Sequence, residues 1–280
     1  MIISTIKDSP AEKAGVKAGD IIVSVDATST RGMSSDAVVA YVRGDIGTNV
    51  VLEVLHKNDS KTTKIKITRA KVEIPILDTE IKGDVFVIHF YSFTEDSASK
   101  FQEALKKFSD SGKSRLIVDL RGNGGGYLDS AINIASFFLP KDKLIVSEKN
   151  SKLGDGKKHY SLGYDFFNHN VLKLGVLIDG GSASASEILA GALKDNGVAT
   201  IIGEKSFGKG SVQQLIKLSD GSDLKVTVAK WFTPNGINIS ESGINPDAVA
   251  TSSEVTKLDT AGKLIDEQLN KAVDVVSKMK

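Results

Sequence analysis

The chain has 280 residues, 40% hydrophobic and 25% charged, the balance of an ordinary folded protein rather than a disordered or membrane-spanning one. The 36 Lys and Arg against 35 Asp and Glu leave a formal charge of +1, which argues against a nucleic-acid grip driven by bulk charge. The lack of cysteine excludes disulfides, zinc–thiolate sites and thiol catalysis, and no apolar run approaches the length of a membrane span.

The opening "MIISTIKDSPAEKAG" has no charged segment leading into an apolar one, so no signal peptide is visible. Residues 1–70 read as a small β-rich module. In "DSPAEKAG", Ser9 is a helix N-cap, Pro10 the first helical residue and Gly15 the stop. "AGDIIVSVD" predicts a strand after a turn at Gly19-Asp20. "SSDAVVAYVRG" places Ala37, Val38, Tyr41 and Val42 at helical spacing. "TNVVLEVLH" and "KTTKIKITR" alternate as two strands around the turn "KNDS".

Residues 71–76, around Pro75, read as a linker. Residues 77–280 alternate strands with helices, which predicts an α/β domain with a mainly parallel sheet. "DVFVIHFYSF", "SRLIVDLR", "LGVLIDG" and "VATIIGE" are its strands. "DSASKFQEALKKFSDSG", "YLDSAINIASFFLP" and "SASASEILAGALKDNG" are its helices. The polar stretch from Lys149 to Asn170 reads as a surface hairpin or loop. The tail predicts a closing helix with Leu264, Ile265, Leu269, Ala272, Val273 and Val276 on one face.

Three serines, Ser182, Ser184 and Ser186, stand in five positions where a strand turns through Gly180-Gly181 into a helix. Ser184-Ala-Ser-Glu187 fits a capping box, which explains the residues without any chemistry. The position also suits a nucleophile, because parallel sheets collect ligands at the carboxyl ends of their strands and free amides there stabilise an oxyanion. The Gly-x-Ser-x-Gly elbow pattern is absent. A serine needs a base, and no His-Asp arrangement recommends itself among His56, His89, His159 and His169. Lys209, between two glycines in a loop between strands, is the alternative. Burial can lower a lysine from ~10.4 to roughly 7–8, where its neutral amine accepts a hydroxyl proton. "DLRGNGGGYL" adds a third element, a loop with Gly122, Gly124, Gly125 and Gly126 that lets amides approach an anion. It lacks the Gly-Lys-Ser/Thr ending and the Gly-x-Gly-x-x-Gly pattern of nucleotide loops.

Taken in order, these segments resemble the carboxyl-terminal processing peptidases, Ser-Lys proteases with an N-terminal PDZ domain. "SPAEKAGVKAGDIIVSVD" and "VRGDIGTNVVLEVL" resemble the PDZ domain. "VDLRGNGGGYL", "SASASEILAGALKDNG", "GEKSFGKGSVQQ", "FTPNGINISESGINPD" and "DEQLNKA" resemble successive motifs of the protease domain. The resemblance implies a core sheet similar to that of crotonases and Clp proteases. It implies Ser184 as nucleophile, Lys209 as general base 25 residues on, Gln213 orienting the lysine, and the amides of Gly126 and Ala185 as oxyanion hole. Asp195 is read as structural support at the helix end, and Ser182 and Ser186 as scaffold. No cofactor or metal is implied. The implied substrates are unfolded or C-terminally exposed proteins, with no nucleic-acid partner, room for a homo-oligomer, and an extracytoplasmic setting.

Two departures stand out. Where relatives carry Asn-Pro-Gly-Gly this chain has Asn123-Gly124-Gly125-Gly126. The first PDZ strand and its carboxylate-binding loop would have to precede Met1, so the chain is expected to be either a fragment or the bearer of a PDZ remnant that binds tails poorly. Two other function classes compete. A peptide-tail binding protein on an inert scaffold predicts loss of Ser184 or Lys209, and both are present. A crotonase-type thioester enzyme shares the core topology, but coenzyme A signals are missing.

Overall fold

A computed structural model describes residues 2, 9–17, 20–56, 59–72, 75–150, 154–164, 166–167, 172–217, 223–251 and 265–279. The chain divides into two units, Met1–Ile74 and Pro75–Lys280.

In the first unit α1 (Pro10–Lys13) is capped by Ser9, whose Oγ accepts the Glu12 N–H at 3.2 Å. Strands β1 (Ile21–Val25) and β2 (Thr28–Ser29) join through Asp26 and Ala27, both at positive φ, as a two-residue hairpin demands. Then follow α2 (Ser35–Val42), β3 (Asn49–Leu55) and β4 (Thr63–Thr68). The antiparallel sheet runs β2-β1-β3-β4. Alternation along β3 turns Val50, Leu52 and Val54 inward onto Val16, Val25, Ile65 and Ile67.

The second unit begins with a hairpin, β5 (Leu77–Lys82) and β6 (Val85–Phe90), followed by α3 (Ser97–Asp110), β7 (Arg115–Asp119) and α4 (Leu128–Ser136). Next come β8 (Leu144–Asn150), β9 (Gly154–Tyr160), β10 (Lys173–Ile178), α5 (Ala185–Asp195) and β11 (Thr200–Gly203). The chain continues through β12 (Ser211–Lys217), β13 (Asp223–Phe232), α6 (Ile239–Ser242), β14 (Ala248–Val249) and α7 (Glu267–Ser277). Six strands form the central sheet, ordered β14-β11-β10-β7-β6-β5 and parallel except for β5.

The strands β6, β7 and β10 are apolar on both faces because both are covered. Phe86, Ile88, Leu116, Val118 and Val176 pack with residues of α3, α4 and α5, whereas Val85, Val87, Ile117 and Leu177 pack with Leu269, Ala272 and Val276 of α7. Strand β5 was not expected. Its sequence, LDTEIK, is half-exposed at a sheet edge and carries little apolar signal. The closing helix starts at Glu267, so Ile265 precedes it, and Leu264 lies outside the described residues. The polar stretch after Lys149 contributes to the hairpin β8–β9, which extends into a second sheet, β12-β13-β8-β9. Among the described residues no helix is long and apolar enough to cross a membrane.

Candidate active site

Four connections leave the carboxyl ends of neighbouring strands β6, β7, β10 and β11, and three of them carry the expected residues. Residues 120–127 follow β7, residues 179–184 follow β10, and residues 204–210 follow β11.

Ser184 is the N-cap of α5 at φ 56° and ψ −114°. A non-glycine residue in that region costs about 1–3 kcal/mol and persists only where its surroundings hold it. Ser184 and Glu187 are placed as the expected capping box places them. The Glu187 carboxylate accepts the Ser184 N–H at 2.9 Å, while the serine hydroxyl makes no cap hydrogen bond. The hydroxyl is therefore left available, on a half-buried residue at the positive end of a helix.

The two flanking serines are fully engaged elsewhere. Ser182 Oγ donates to Leu120 O at 2.8 Å and accepts the Asp179 N–H at 3.0 Å. Ser186 Oγ donates to Asn123 O at 2.8 Å, which also accepts the Ala183 N–H at 3.0 Å. Both serines are buried. They stitch the serine turn to the glycine loop, the scaffold role expected of them. Asp179 adds to the seam, since its Oδ1 accepts the N–H of Gly122 and of Gly181, each at 2.9 Å.

The glycine loop lies directly against the serine. A Cβ on Gly125 would meet Ala183 O at 2.7 Å and both Ala185 N and Ser184 Cβ at 2.8 Å. A Cβ on Gly126 would meet Phe93 O at 2.0 Å. The loop is held by buried Asn123, whose Nδ2 donates to Phe90 O at 2.7 Å and whose Oδ1 accepts the Gly125 N–H at 2.9 Å. The Ala185 N–H is at the first helical position, where no intrahelical acceptor exists. Gly125 thus lies against Ser184 and Ala185, and Gly126, the other residue expected to offer an oxyanion amide, follows it along the loop and packs on Phe93.

Lys209 is brought to the same place through its backbone. Its N–H donates at 2.9 Å to Glu187 Oε2, the atom that also accepts the Ser184 N–H. Its side chain is exposed rather than buried, so the burial expected for a lysine base is not a property of the chain by itself. Gln213 lies in β12, next to a register shift between Val212 and Gln213, and its side chain lies outside the described residues. Asp195 closes α5 and accepts the Asn235 N–H at 2.9 Å, a structural tie as expected. None of the described histidines sits against Ser184. His56 pairs with Asp20, His89 with Asp119 and Glu80, and His159 with Glu148, while His169 lies outside the described residues. Among the described residues no group of His, Asp and Glu is arranged to hold a metal ion.

At the root of the glycine loop a polar cluster joins the motifs VDLRGNGGGYL and DEQLNKA, a pairing that neither motif announces by itself. Arg121 donates to Asp119 through Nε at 2.9 Å and Nη2 at 2.7 Å, and to Asp266 through Nη1 and Nη2 at 2.9 and 2.6 Å. His89 lies between Asp119, at 3.1 Å, and Glu80, at 2.9 Å. Burial works to raise the carboxyl of Asp119, yet hydrogen bonds from His89 and Arg121 outweigh it and hold the group below its ordinary value. Asp266 is lowered in the same way, against burial, by Arg121. Burial works to lower His89, and its two carboxylate partners raise it.

With this geometry in hand, the likeness to known proteins is specific. The model of peptidase family S41 matches residues 84–250 and that of the PDZ domain matches residues 2–55. The chain is 38% identical over 255 residues to a probable CtpA-like serine protease of Staphylococcus haemolyticus, covering 91% of this chain and 50% of that protein. It is 38% identical over 252 residues to the carboxy-terminal processing protease CtpB of Bacillus subtilis, covering 88% and 51%. Among solved structures, the photosystem II D1 C-terminal processing protease superimposes with a TM-score of 0.64 at 32% identity, over 94% of this chain and 70% of that one. A putative S41 protease of Bacteroides fragilis, 17% identical with a TM-score of 0.70 over 99% and 77% of the two chains, shares the fold. The chain spans about half the length of the curated relatives it matches. It belongs to peptidase family S41 and carries a PDZ domain within its first unit.

Proposed function

We infer that the chain is a serine endopeptidase that cleaves unfolded or C-terminally exposed proteins near their C-termini through Ser184 and Lys209. The observation that carries this reading is the state of Ser184, held at φ 56° at the head of α5 with its hydroxyl unused in capping. A strained residue whose functional atom is left free at the end of parallel strands suits a nucleophile better than a cap.

In this mechanism the neutral amine of Lys209 takes the Ser184 hydroxyl proton as Oγ attacks the scissile carbonyl. The N–H groups of Gly126 and Ala185 hold the oxyanion of the tetrahedral intermediate. The lysine ammonium returns its proton to the leaving amine nitrogen. A water then attacks the Ser184 ester with Lys209 again as base, releasing the acid and the free serine. Because Lys209 is exposed, bound substrate must cover it to favour the neutral amine, and Gln213 is assigned the orienting role. Tail recognition belongs to the first unit, on its PDZ match and its apolar hollow of about 640 Å³ lined by Val16, Ile22, Val39, Val42, Leu52 and Ile67. The family likeness supports a setting outside the cytoplasm for this activity.

The test is cleavage of an unfolded protein with an apolar C-terminus by the parent, Ser184→Ala and Lys209→Ala. The parent should cut, and each variant should lose at least about 10³-fold in kcat. Cleavage surviving in Ser184→Ala would remove the nucleophile assignment, and survival in Lys209→Ala would remove the base.

A further inference from the structure

Glu187 does far more than a capping box asks. A cap needs one bond, from the carboxylate back to the N-cap amide. Here the buried carboxylate takes four. Oε2 accepts the N–H of Ser184 and of Lys209, both at 2.9 Å, and Oε1 accepts Ser206 Oγ at 2.6 Å and the Gly208 N–H at 2.7 Å. Three of the four donors come from the loop that presents the lysine. A single oxygen therefore ties the backbones of the two residues assigned to chemistry, which lie within twice 2.9 Å of each other at their amide nitrogens. Ser206 extends the tie, because its Oγ also accepts the Ile244 N–H at 2.7 Å.

We propose that Glu187 is the positioning residue that sets the register of Lys209 against Ser184. The proposal rests on the Ser-Lys reading above. Its chemistry is specific to a carboxylate. Four donors converge on two oxygens, and the ionised form offers about four lone-pair sites and no competing proton. Neither of the two serines that act as scaffold donates from its side chain to the lysine loop. The negative charge also lies in the first turn of α5, where the helix dipole favours it. A glutamine would keep the size but place an NH2 opposite N–H donors, pushing the two backbones apart. A displacement of about 1 Å at reacting groups costs on the order of 10²-fold in rate without touching the surface that binds substrate.

The experiment measures kcat and KM on a fluorogenic peptide with an apolar C-terminus for the full chain and for Ser184→Ala, Lys209→Ala, Glu187→Gln and Ser206→Ala. Glu187→Gln should lower kcat about 100-fold with KM within about threefold. A merely structural role would lower the amount of active protein or move KM, so active-site titration accompanies each rate. Glu187→Gln with kcat within threefold of the parent, or with its loss entirely in KM or in active fraction, overturns the proposal. Should Glu187→Gln not fold, Ser206→Ala decides, with kcat about tenfold lower at unchanged KM expected and an unchanged kcat overturning. An inert parent, or a Lys209→Ala variant as active as the parent, overturns the dyad and the clamp with it. Inert Ser184→Ala and Lys209→Ala beside an active Glu187→Gln strikes the clamp alone.

Discussion

Gly124 and Gly125 are neighbours in the loop between β7 and α4, yet they face opposite constraints. Gly125 has φ 97° and backbone and side-chain atoms of residues 183–185 within 2.8 Å of where a Cβ would go. Gly124 is exposed, is not at positive φ, and has nothing within 4 Å of its Cβ position. On the proposed mechanism, Gly125→Ala should therefore cost at least about 10²-fold in kcat, by driving the glycine loop away from Ser184. Gly124→Ala should keep activity within about threefold and stabilise by about 0.4–1 kcal/mol, through the unfolded chain. Peptide kinetics and urea unfolding on the two variants check both outcomes. The tolerance at Gly124 also explains how this chain departs from Asn-Pro-Gly-Gly without harm to the loop. At this scale the alternation Ser-Ala-Ser-Ala-Ser made the three serines alike. What separates them is the partner of each hydroxyl, Leu120 O, none, and Asn123 O, set by a glycine loop more than 60 residues away.

Between elements, the cluster of His89, Glu80, Asp119, Arg121 and Asp266 joins β5, β6 and β7 to the start of α7. Its titration gives stability a defined pH dependence. Asp119 and Asp266 have lowered values in the folded chain, so their contribution is present above the ordinary carboxylate value of ~3.9 and is lost as pH falls through the folded values. His89 is raised, so its contribution is full below ~6.5 and is lost as pH rises through the folded value. Tyr91 stacks on His89 and completes its surroundings. Urea unfolding across pH should thus fall off on both sides of a plateau. His89→Asn should flatten the alkaline side and leave the acid side sloping, and Arg121→Met should reduce the acid slope. An alkaline slope unchanged in His89→Asn would contradict this assignment. Asp119 and Asp266 each fall in a motif that the sequence shows, but those motifs are 147 residues apart in the chain and nothing local joins them. Helix and strand types were legible wherever apolar spacing was strong, as in β6, β7, β10 and α5. They were not legible in β5, where half-exposed polar residues pair only because β6 offers an edge.

For the molecule as a whole, the alternation of strands and helices after Pro75 fixes a parallel sheet, and a parallel sheet gathers its functional loops at one end. That logic alone gathers the serine turn, the glycine loop and the lysine loop at one end of the sheet. It left unresolved which side chain would join them, because Glu187 already had a sufficient local explanation as a cap. Nor did it anticipate an exposed Lys209. On the proposed mechanism Ser184 is the nucleophile and Lys209 activates it. The most direct measurement is covalent labelling with a fluorophosphonate, followed by peptide mapping of the modified residue and by the rate of labelling. The parent should carry one adduct on Ser184, Lys209→Ala should label at least about tenfold more slowly, and Ser184→Ala should not label. An adduct on Ser182, Ser186 or any other residue, or equal rates in the parent and Lys209→Ala, would contradict it.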